Sequence, residues 1–242
     1  MIEATLNKAI EHAKSVFPKD SCGLAVVVTG KEVYYPCANL GDTPSEHFKM
    51  SHEDFARAED LGEVIALIHS HPNMVATASE GDLVSCEANG IEWHILSLFQ
   101  ENGEIVFKGI NSIKPKNYEA PLVGRMFYYG VLDCYTLIRD YYKRTLNMDL
   151  PMFQSEDEWW LKGKNLYVDH YKEVGFVDVT GSMQPHDVIF MQIRSPVANH
   201  AGAYLGDGLF LHHFYGRLST KDVYGGYWQH TTVKILRHKD FL

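Results

Sequence analysis

Periodic and alternating runs of apolar residues divide the chain into helices and strands. Apolar residues at helical spacing predict an amphipathic helix over 2–16, and Pro18 ends it. Serine followed by an acidic residue predicts the starts of two further helices, 52–60 and 80–89. Short apolar runs bounded by turn residues predict strands. In the first half of the chain these are 25–28, 32–35, 47–50, 64–68, 91–99 and 104–110.

The second half of the chain has a different order of elements. Leucine, isoleucine and tyrosine on one face predict a helix over 133–146. A polar, tryptophan-containing stretch follows at 155–169. Consecutive apolar strands are then predicted at 188–191, 200–205 and 209–212. One helix followed by a run of strands is typical of an α+β domain.

A linker between two domains is predicted between these halves. Residues 111–122 carry two prolines and several polar residues, which is the composition of an interdomain segment. We therefore predict a first domain over 1–112, a linker over 113–122 and a second domain over 123–242. A chain of 242 residues is long enough for two small domains.

Composition and charge exclude several classes of function. The net charge of −9 argues against nucleic-acid binding by bulk electrostatics. No apolar run reaches membrane-spanning length, and the acidic N-terminal segment is not a signal peptide. The cysteines show no CxxC pairing, so we expect mostly reduced thiols in a protein made in the cytoplasm. They are Cys22, Cys37, Cys86 and Cys134.

Two histidines at the end of the apolar run 64–68 are the first candidate chemistry. His69 and His71 are two residues apart on a predicted strand, so both side chains face the same side. Asp82 follows in the first turn of a predicted helix that opens at Ser79. Two imidazoles and a carboxylate leave a fourth position open on a tetrahedral metal, as in a catalytic zinc site. Helix capping is the alternative explanation for Ser79 and Asp82.

The spacing from His69 to Asp82, H-x-H-P-x7-S-x2-D, resembles the JAMM motif of the MPN/Mov34 metalloprotease family. The resemblance implies a mixed sheet flanked by helices, zinc bound by His69, His71 and Asp82, and a role for Ser79 in stabilising a tetrahedral intermediate. The family places a catalytic glutamate upstream as general acid and base. At that position this chain has Asp20, which is shorter by one methylene, about 1.5 Å in reach. The resemblance therefore predicts a zinc site whose activity depends on Asp20.

A cysteine at a helix start is the second candidate. Cys134 follows Asp133 at the start of the helix 133–146, where the helix dipole is expected to favour a thiolate. A thiolate needs a base, and His200 is a candidate because it alternates with an apolar strand face and so points toward a cleft or solvent. His212 and His213 face opposite sides of the next strand, so only one of them can join the site.

These residues resemble the NlpC/P60 family of papain-like cysteine peptidases, with the patterns D-C-x-x-L-I, H-x-G-x-Y-L-G and F-L-H. The resemblance implies a papain-like α+β fold, Cys134 as nucleophile, His200 as base and His212 as the group that orients the base. A tyrosine often precedes the cysteine in this family, and Phe127 stands at that position here. Glycine is usual where this chain has His186. The fold class predicted for the whole chain is thus α/β of the α+β type, in two domains.

A JAMM-like half followed by an NlpC/P60-like half resembles a family of phage tail-tip assembly proteins. That resemblance implies a place in the tail tip, with other tail-tip proteins and the tape-measure protein as partners. It also implies host peptidoglycan as substrate, cleaved at the γ-D-glutamyl–diaminopimelate link of the stem peptide. The protein would then be made in the host cytoplasm and end in the virion. Two alternatives remain: a structural assembly protein with degenerate peptidase sites, and a bacterial cytoplasmic peptidase unconnected with phage.

Overall fold

Two compact units, residues 1–119 and 120–242, make up the chain, and each contains one sheet. The structure is a computed structural model that describes residues 1–41, 44, 48–153 and 158–242. The strand predicted over 47–50 begins outside the described residues, while Met50 forms an isolated bridge with Asn39. The first residues of the polar stretch 155–169 also lie outside them.

The first unit is a mixed five-stranded sheet with helices on both faces. Its strand order is β2-β1-β3-β4-β5, and only the β3–β4 pair is parallel. The elements are α1 (Glu3–Val16), β1 (Cys22–Val28), β2 (Lys31–Cys37), α2 (His52–Leu61), β3 (Glu63–Pro72), α3 (Glu80–Asn89), β4 (Glu92–Glu101) and β5 (Glu104–Ile113). Asn102 and Gly103 join the last two strands with positive φ angles, as a tight hairpin turn requires.

The alternation of side chains along β3 decides where its histidines lie. Leu67 belongs to a core that also contains buried residues of α2 and α3. Ala66 and Ile68 belong to the core on the other face, beneath α1. Because side chains two residues apart face the same side, His69 and His71 share the face of Leu67. The strand therefore delivers both imidazoles to the side of the sheet that α2 and α3 cover.

The second unit is an antiparallel six-stranded sheet in the order β10-β9-β8-β7-β11-β6. Its elements are α4 (Cys134–Leu146), α5 (Leu166–His170), β6 (Phe176–Asp178), β7 (Val188–Met191), β8 (His200–Gly206), β9 (Leu209–His212), β10 (Thr220–Val223), α6 (Tyr227–Thr231) and β11 (Thr232–His238). Two short 3-10 helices span Trp159–Lys162 and Lys239–Phe241.

Helix α4 forms the main core of this unit by packing on one face of the sheet. Leu137 and Ile138 of the helix pack with Ala201 and Ala203 of β8. The other face carries a smaller core around Phe210. Because Ala201 and Ala203 face α4, His200 belongs to the opposite face of β8.

His186, in the loop before β7, has a φ of +79°, in the left-handed region that favours glycine. The NlpC/P60 resemblance expects glycine at this position, and the backbone conformation gives the reason. The Tyr141 hydroxyl oxygen lies 2.6 Å from Nδ1 of the His186 ring. This hydrogen bond holds the His186 side chain although its backbone conformation is unfavourable.

The predicted fold class is confirmed, since both units combine helices with a sheet and the first sheet is mixed. The strands β6, β10 and β11 were not predicted. The linker over 113–122 stays a prediction, and two observations bear on its first part. Strand β5 extends to Ile113, and the Glu87 carboxylate accepts hydrogen bonds from the N–H groups of Lys116 and Asn117.

Within the described residues, the helices are all too short or too polar to cross a membrane.

Candidate functional sites

His69, His71 and Asp82 converge at the end of β3 and the start of α3. The Nε2 atoms of the two imidazoles are 3.2 Å apart. Nε2 of His69 lies 3.3 Å from one Asp82 carboxylate oxygen, and Nε2 of His71 lies 3.4 Å from the other. Three ligand atoms, one from each residue, fall within 4.8 Å of one another, so this set can hold a metal ion.

The surroundings orient both imidazoles. Nδ1 of His71 lies 3.2 Å from the Val75 carbonyl oxygen, and a hydrogen bond there leaves Nε2 as the nitrogen with the lone pair. His69 is held by aromatic packing, with ring centroids 4.8 Å from Phe48 and 5.5 Å from Trp93. Among the described residues, none accepts a hydrogen bond from the buried Nδ1 of His69.

Asp82 has two functions at the start of α3. Ser79 is the N-cap, and its hydroxyl oxygen accepts the Asp82 N–H at 3.0 Å. In return the Asp82 carboxylate accepts the Ser79 N–H at 2.7 Å, which completes a capping box. The capping alternative therefore describes both residues correctly, and it coexists with the convergence of Asp82 on the two histidines.

The carboxylate of Asp82 and the imidazole of His71 shift each other's pKa toward the charged form. Burial by itself raises the pKa of Asp82, but the hydrogen bonds and charges of His69 and His71 outweigh burial and hold that pKa well below its usual range. Burial lowers the pKa of His71, and its contacts with Asp82 reverse the shift, so the net direction is upward. The carboxylate therefore stays ionised at any ordinary pH, as a metal ligand must.

Asp20 lies just before β1 and is 4% exposed. One carboxylate oxygen accepts the Ser70 N–H at 3.0 Å, and the Ser70 hydroxyl lies 3.4 Å from the same oxygen. Burial raises the pKa of Asp20 to about 6, although the positive charges of His69 and His71 act in the opposite direction. A carboxyl group with this pKa can exchange a proton near neutral pH.

In the second unit, Cys134 is the first residue of α4. The Asp133 carboxylate caps the helix by accepting the Thr136 N–H at 2.9 Å, and the Thr136 hydroxyl accepts the Asp133 N–H at 2.7 Å. The second carboxylate oxygen of Asp133 accepts the Gly130 N–H at 2.9 Å and fixes the preceding turn. The capping box leaves the Cys134 N–H at the helix start, where the first amides have no partner within the helix.

Two imidazoles and a carboxylate form a chain across β8, β9 and β10. Nε2 of His200 lies 3.0 Å from Nδ1 of His212. Nε2 of His212 lies 3.1 Å from an Asp222 carboxylate oxygen. His213, the alternative to His212, instead packs against the Phe127 ring. The structure therefore joins His212 to His200 and separates His213 from them.

Aromatic rings surround this chain of side chains. Phe210 stacks on the His212 ring at a centroid distance of 4.4 Å, and Trp228 lies 4.5 Å from it. Phe214 contacts the His200 ring at 5.3 Å. The prediction that His200 faces a cleft or solvent needs correction, because His200 is 3% exposed and lies among these rings. Burial, with His212 and His213 nearby, lowers the pKa of His200 well below its usual value, so its imidazole is neutral.

The Cys134 thiol is covered rather than open. Its sulfur lies 2.9 Å from the Tyr167 hydroxyl oxygen, and the backbone N–H of Ala201 also faces it. The expected thiolate is wrong for this conformation. Burial and the Asp133 charge raise the pKa of Cys134 to about 12, more than the hydrogen bonds of Tyr167 and Ala201 lower it. Desolvation of the charged form is the largest cause of this rise in pKa.

Two residues at this site were missed by sequence reasoning. Tyr167 comes from α5, in the polar stretch whose pattern predicted no strand or helix, and no spacing relates it to Cys134. Asp222 lies on β10, a short strand with exposed positions. This strand pairs with β9, and Asp222 lies opposite Phe210. Polar residues on an edge strand give no periodic apolar signal, so only the strand pairing identifies Asp222 as a neighbour of His212.

Two family patterns match the chain, one for each unit. The pattern of the NlpC/P60 family matches residues 124–237. The pattern of prokaryotic homologs of the JAB domain matches residues 3–108. Cys134, His200 and His212 lie within the first match, and His69, His71 and Asp82 lie within the second.

Two curated proteins resemble the chain over most of its length. The tail tip assembly protein K of Escherichia phage N15 is 38% identical over 242 residues, covering 99% of this chain and 96% of that protein. The tail tip assembly protein K of Escherichia phage lambda is 38% identical over 191 residues, covering 78% and 89%. A crystal structure of an NlpC/P60 family protein from Bacillus cereus is 12% identical with a TM-score of 0.34, covering 96% of this chain and 66% of that one. That score is too low to bear on the fold.

Proposed function

This chain belongs to the family of the tail tip assembly proteins K, and from that premise we propose that it helps to assemble a phage tail tip and carries a cysteine peptidase in its second unit. The tail-tip function rests on the relatives, which are 38% identical to this chain over 99% and 78% of its length. We propose that it is made in the host cytoplasm and becomes part of the virion. Its partners are then other tail-tip proteins and the tape-measure protein.

The observation that carries the peptidase proposal is the hydrogen-bonded pair His200–His212, together with a helix-start cysteine whose sulfur faces the N–H of Ala201, the next residue after His200. Nε2 of His200 is occupied by His212, which leaves Nδ1 as the nitrogen for a proton from elsewhere. Ala201, the residue after His200, presents its N–H to the Cys134 sulfur, so the thiol lies against the start of β8. A nucleophile, a base and a group that orients the base are the parts of a cysteine peptidase site.

The raised pKa of Cys134 and the lowered pKa of His200 support a neutral resting pair. His200 then acts as a general base during attack, taking the thiol proton as the sulfur bonds to the carbonyl carbon of the substrate amide. The same proton passes to the leaving amine, and water hydrolyses the acyl thioester to regenerate the thiol. The Cys134 N–H, at the positive end of α4, is the donor suited to the oxyanion.

We propose the peptide stem of host peptidoglycan as substrate, with cleavage at the γ-D-glutamyl–diaminopimelate link. The substrate proposal rests on the NlpC/P60 match and on the relatives in phage tails.

For the first unit we propose a zinc site held by His69, His71 and Asp82. Ligand atoms about 2.0–2.1 Å from a tetrahedral zinc ion stand about 3.3–3.4 Å from one another. The 3.2 Å between the two Nε2 atoms matches this spacing, and one ligand atom from each of the three residues lies within 4.8 Å of the others. A bound zinc ion supplies a Lewis acid that polarises an amide carbonyl and makes water more acidic.

Asp20 and Ser79 are the residues that would handle protons and developing charge beside such an ion. Asp20 is a buried carboxyl group that would accept a proton from water and return it to a leaving amine. Ser79 already uses its hydroxyl oxygen as the α3 cap, and its hydroxyl proton remains for an anionic intermediate. An isopeptidase-like reaction is the proposed activity of this unit.

A purely structural function of the two units in the tail tip is the competing proposal, and Asp20 in place of glutamate favours it for the first unit. Digestion of purified peptidoglycan separates the two. We expect the full chain to release stem-peptide fragments, detected by mass spectrometry, and expect Cys134→Ala to release none. His71→Ala, which alters only the first unit, is the matched control and should still release them. Identical products from wild type and Cys134→Ala, with tails that fail to assemble without the protein, favour the structural function.

A further inference from the structure

Asp222 extends the His200–His212 pair by a third hydrogen-bonded group. Its carboxylate oxygen lies 3.1 Å from Nε2 of His212, and Nδ1 of the same ring lies 3.0 Å from Nε2 of His200. His212 is 2% exposed, whereas the Asp222 side chain is 37% exposed. The chain of hydrogen bonds thus runs from a buried base to a carboxylate at the edge of the sheet.

The chemistry of these groups allows one set of proton positions. An ionised carboxylate can only accept, so Nε2 of His212 must carry the proton. A neutral His212 then has its lone pair on Nδ1 and accepts from Nε2–H of His200. A neutral His200 with its proton on Nε2 has its lone pair on Nδ1. We propose that Asp222 is a positioning residue that fixes this tautomer of both rings and thereby makes Nδ1 of His200 the base.

Packing restricts the His212 ring. Phe210 stacks on it and Trp228 contacts it edge to face, which opposes rotation of the ring. The other charged or titratable groups that influence the pair are His213 and Arg217. Burial, the largest cause, and Arg217 lower the pKa of His212, whereas Asp222 raises it, and the net direction is downward. His212 therefore stays neutral, which the tautomer argument requires.

Removing the acceptor and removing only its charge have different consequences. Asp222→Ala removes the carboxylate that accepts from Nε2 of His212, so that ring is free to move its proton to Nδ1 and donate to His200. His200 then carries its own proton on Nδ1 and can no longer take one from Cys134. In Asp222→Asn the side-chain amide still has an oxygen that accepts, so the tautomers survive while the negative charge is lost.

The test reads the tautomers directly, by 15N NMR of histidine-labelled full chain. We expect the proton on Nε2 for both His200 and His212 in wild type and in Asp222→Asn, and on Nδ1 for a substantial part of both in Asp222→Ala. Asp207→Asn removes a carboxylate from the exposed β8–β9 turn of the same unit and is the control that should resemble wild type. Wild-type His212 with its proton on Nδ1 overturns the proposal without reference to any variant.

The second measurement is the rate at which iodoacetamide alkylates Cys134 across pH 5–9. This measurement rests on the proposed function, because it assumes that His200 is the base for Cys134. Replacing the aspartate of a serine-protease triad costs about 10⁴-fold in rate. Since Asp222 acts one imidazole further away, we expect a loss of at least about tenfold in Asp222→Ala, a smaller loss in Asp222→Asn and recovery in Asp222→Glu. A change in melting temperature with unaltered tautomers and pH profile in Asp222→Ala overturns the proposal. Equal rates of Cys134 alkylation in wild type and His200→Ala overturn the proposed peptidase function instead. The NMR result then still decides whether Asp222 fixes the tautomers.

Discussion

The Tyr167 hydroxyl oxygen lies 2.9 Å from the Cys134 sulfur, although 33 residues separate the two in the sequence. Tyr167 is held in place by stacking on Phe190 at a centroid distance of 4.9 Å and by an edge contact with Trp159. A hydroxyl in this position can donate a hydrogen bond to the sulfur as it becomes negative. Phe127 stands where the NlpC/P60 resemblance expects a tyrosine, and Tyr167 brings a hydroxyl to the thiol from another element.

Tyr167→Phe is therefore expected to slow the alkylation of Cys134. A hydrogen bond to a charged group contributes about 1.5–3 kcal/mol, which corresponds to a loss of about ten- to a hundredfold in rate if the bond forms fully in the transition state. Tyr135→Phe removes a hydroxyl that donates to the Pro151 carbonyl and is the matched control. Faster alkylation in Tyr167→Phe than in wild type contradicts this role and indicates that the hydroxyl shields the thiol.

Cys134 is expected to alkylate faster near neutral pH than the thiols of the first unit. Burial raises the pKa of Cys86 to about 11 and that of Cys37 to about 12, so the pKa of Cys134 gives it no advantage. The difference comes from His200, which offers a base, so His200→Ala should remove it. Peptide mapping after limited iodoacetamide treatment measures the rates. The prediction fails if Cys134 and Cys86 react equally in the folded wild type.

Asp20→Asn is expected to stabilise the metal-free first unit at neutral pH. The folded pKa of Asp20 is raised from 3.8 to about 6, so the folded state holds a proton that the unfolded state releases, and stability falls as pH rises through this window. The free energy of unfolding falls by about 2–3 kcal/mol in total once the pH is above 6. Asparagine keeps the acceptor for Ser70 and has no charge to bury. Hydrogen exchange of the β3 amides with a chelator present should give equal stabilities near pH 4 and a more stable variant at pH 7.

Zinc is expected to stabilise the first unit and leave the second unchanged. An ion that binds only the folded state adds about 4 kcal/mol at a thousandfold excess over its dissociation constant. His71→Ala removes one ligand and should abolish the effect, whereas His213→Ala, in the other unit, should leave it intact. Hydrogen exchange resolved by segment measures both units at once. Equal stabilisation of wild type and His71→Ala by zinc rules out the proposed ligands.

Ser79→Ala is expected to lower the stability of α3 by about 1 kcal/mol, because the cap of the Asp82 N–H is lost. Ser79→Thr keeps a hydroxyl and should cost less. If Ser79 also serves catalysis, the rate of the isopeptidase-like hydrolysis proposed for the first unit should fall far more in Ser79→Ala than this loss of stability explains. Parallel measurements of unfolding and of hydrolysis separate the two functions of the hydroxyl.

Strong periodic patterns made most of the fold predictable. The alternation along β3 was sufficient to place His69 and His71 on one face, and the caps at Ser51 and Ser79 began helices where the sequence predicted. Helix caps and the facing of strand residues depend on residues close in the sequence, so their spacing is enough to predict them.

The electrostatics of Cys134 and its long-range partners could not be predicted in the same way. A helix start indicates a lowered thiol pKa, but burial under Tyr167 and beside Asp133 reverses the direction. That burial arises from α5 packing, which no local pattern specifies. Asp222 depends likewise on the pairing of an edge strand with β9. Tertiary contacts of this kind determine the environment of a side chain, whereas the sequence specifies only its type.

The Ser79 amide is a backbone reporter of the Asp82 carboxylate, one of the three proposed metal ligands. Its N–H donates at 2.7 Å to the carboxylate oxygen of Asp82 that also faces His71. We expect an ion that draws this oxygen toward the histidines to lengthen that hydrogen bond, so that the amide at the start of α3 exchanges faster with deuterated solvent. One backbone proton thus reports the occupancy of the site in the intact protein, where an absorbance assay with a spectroscopically silent ion reports nothing.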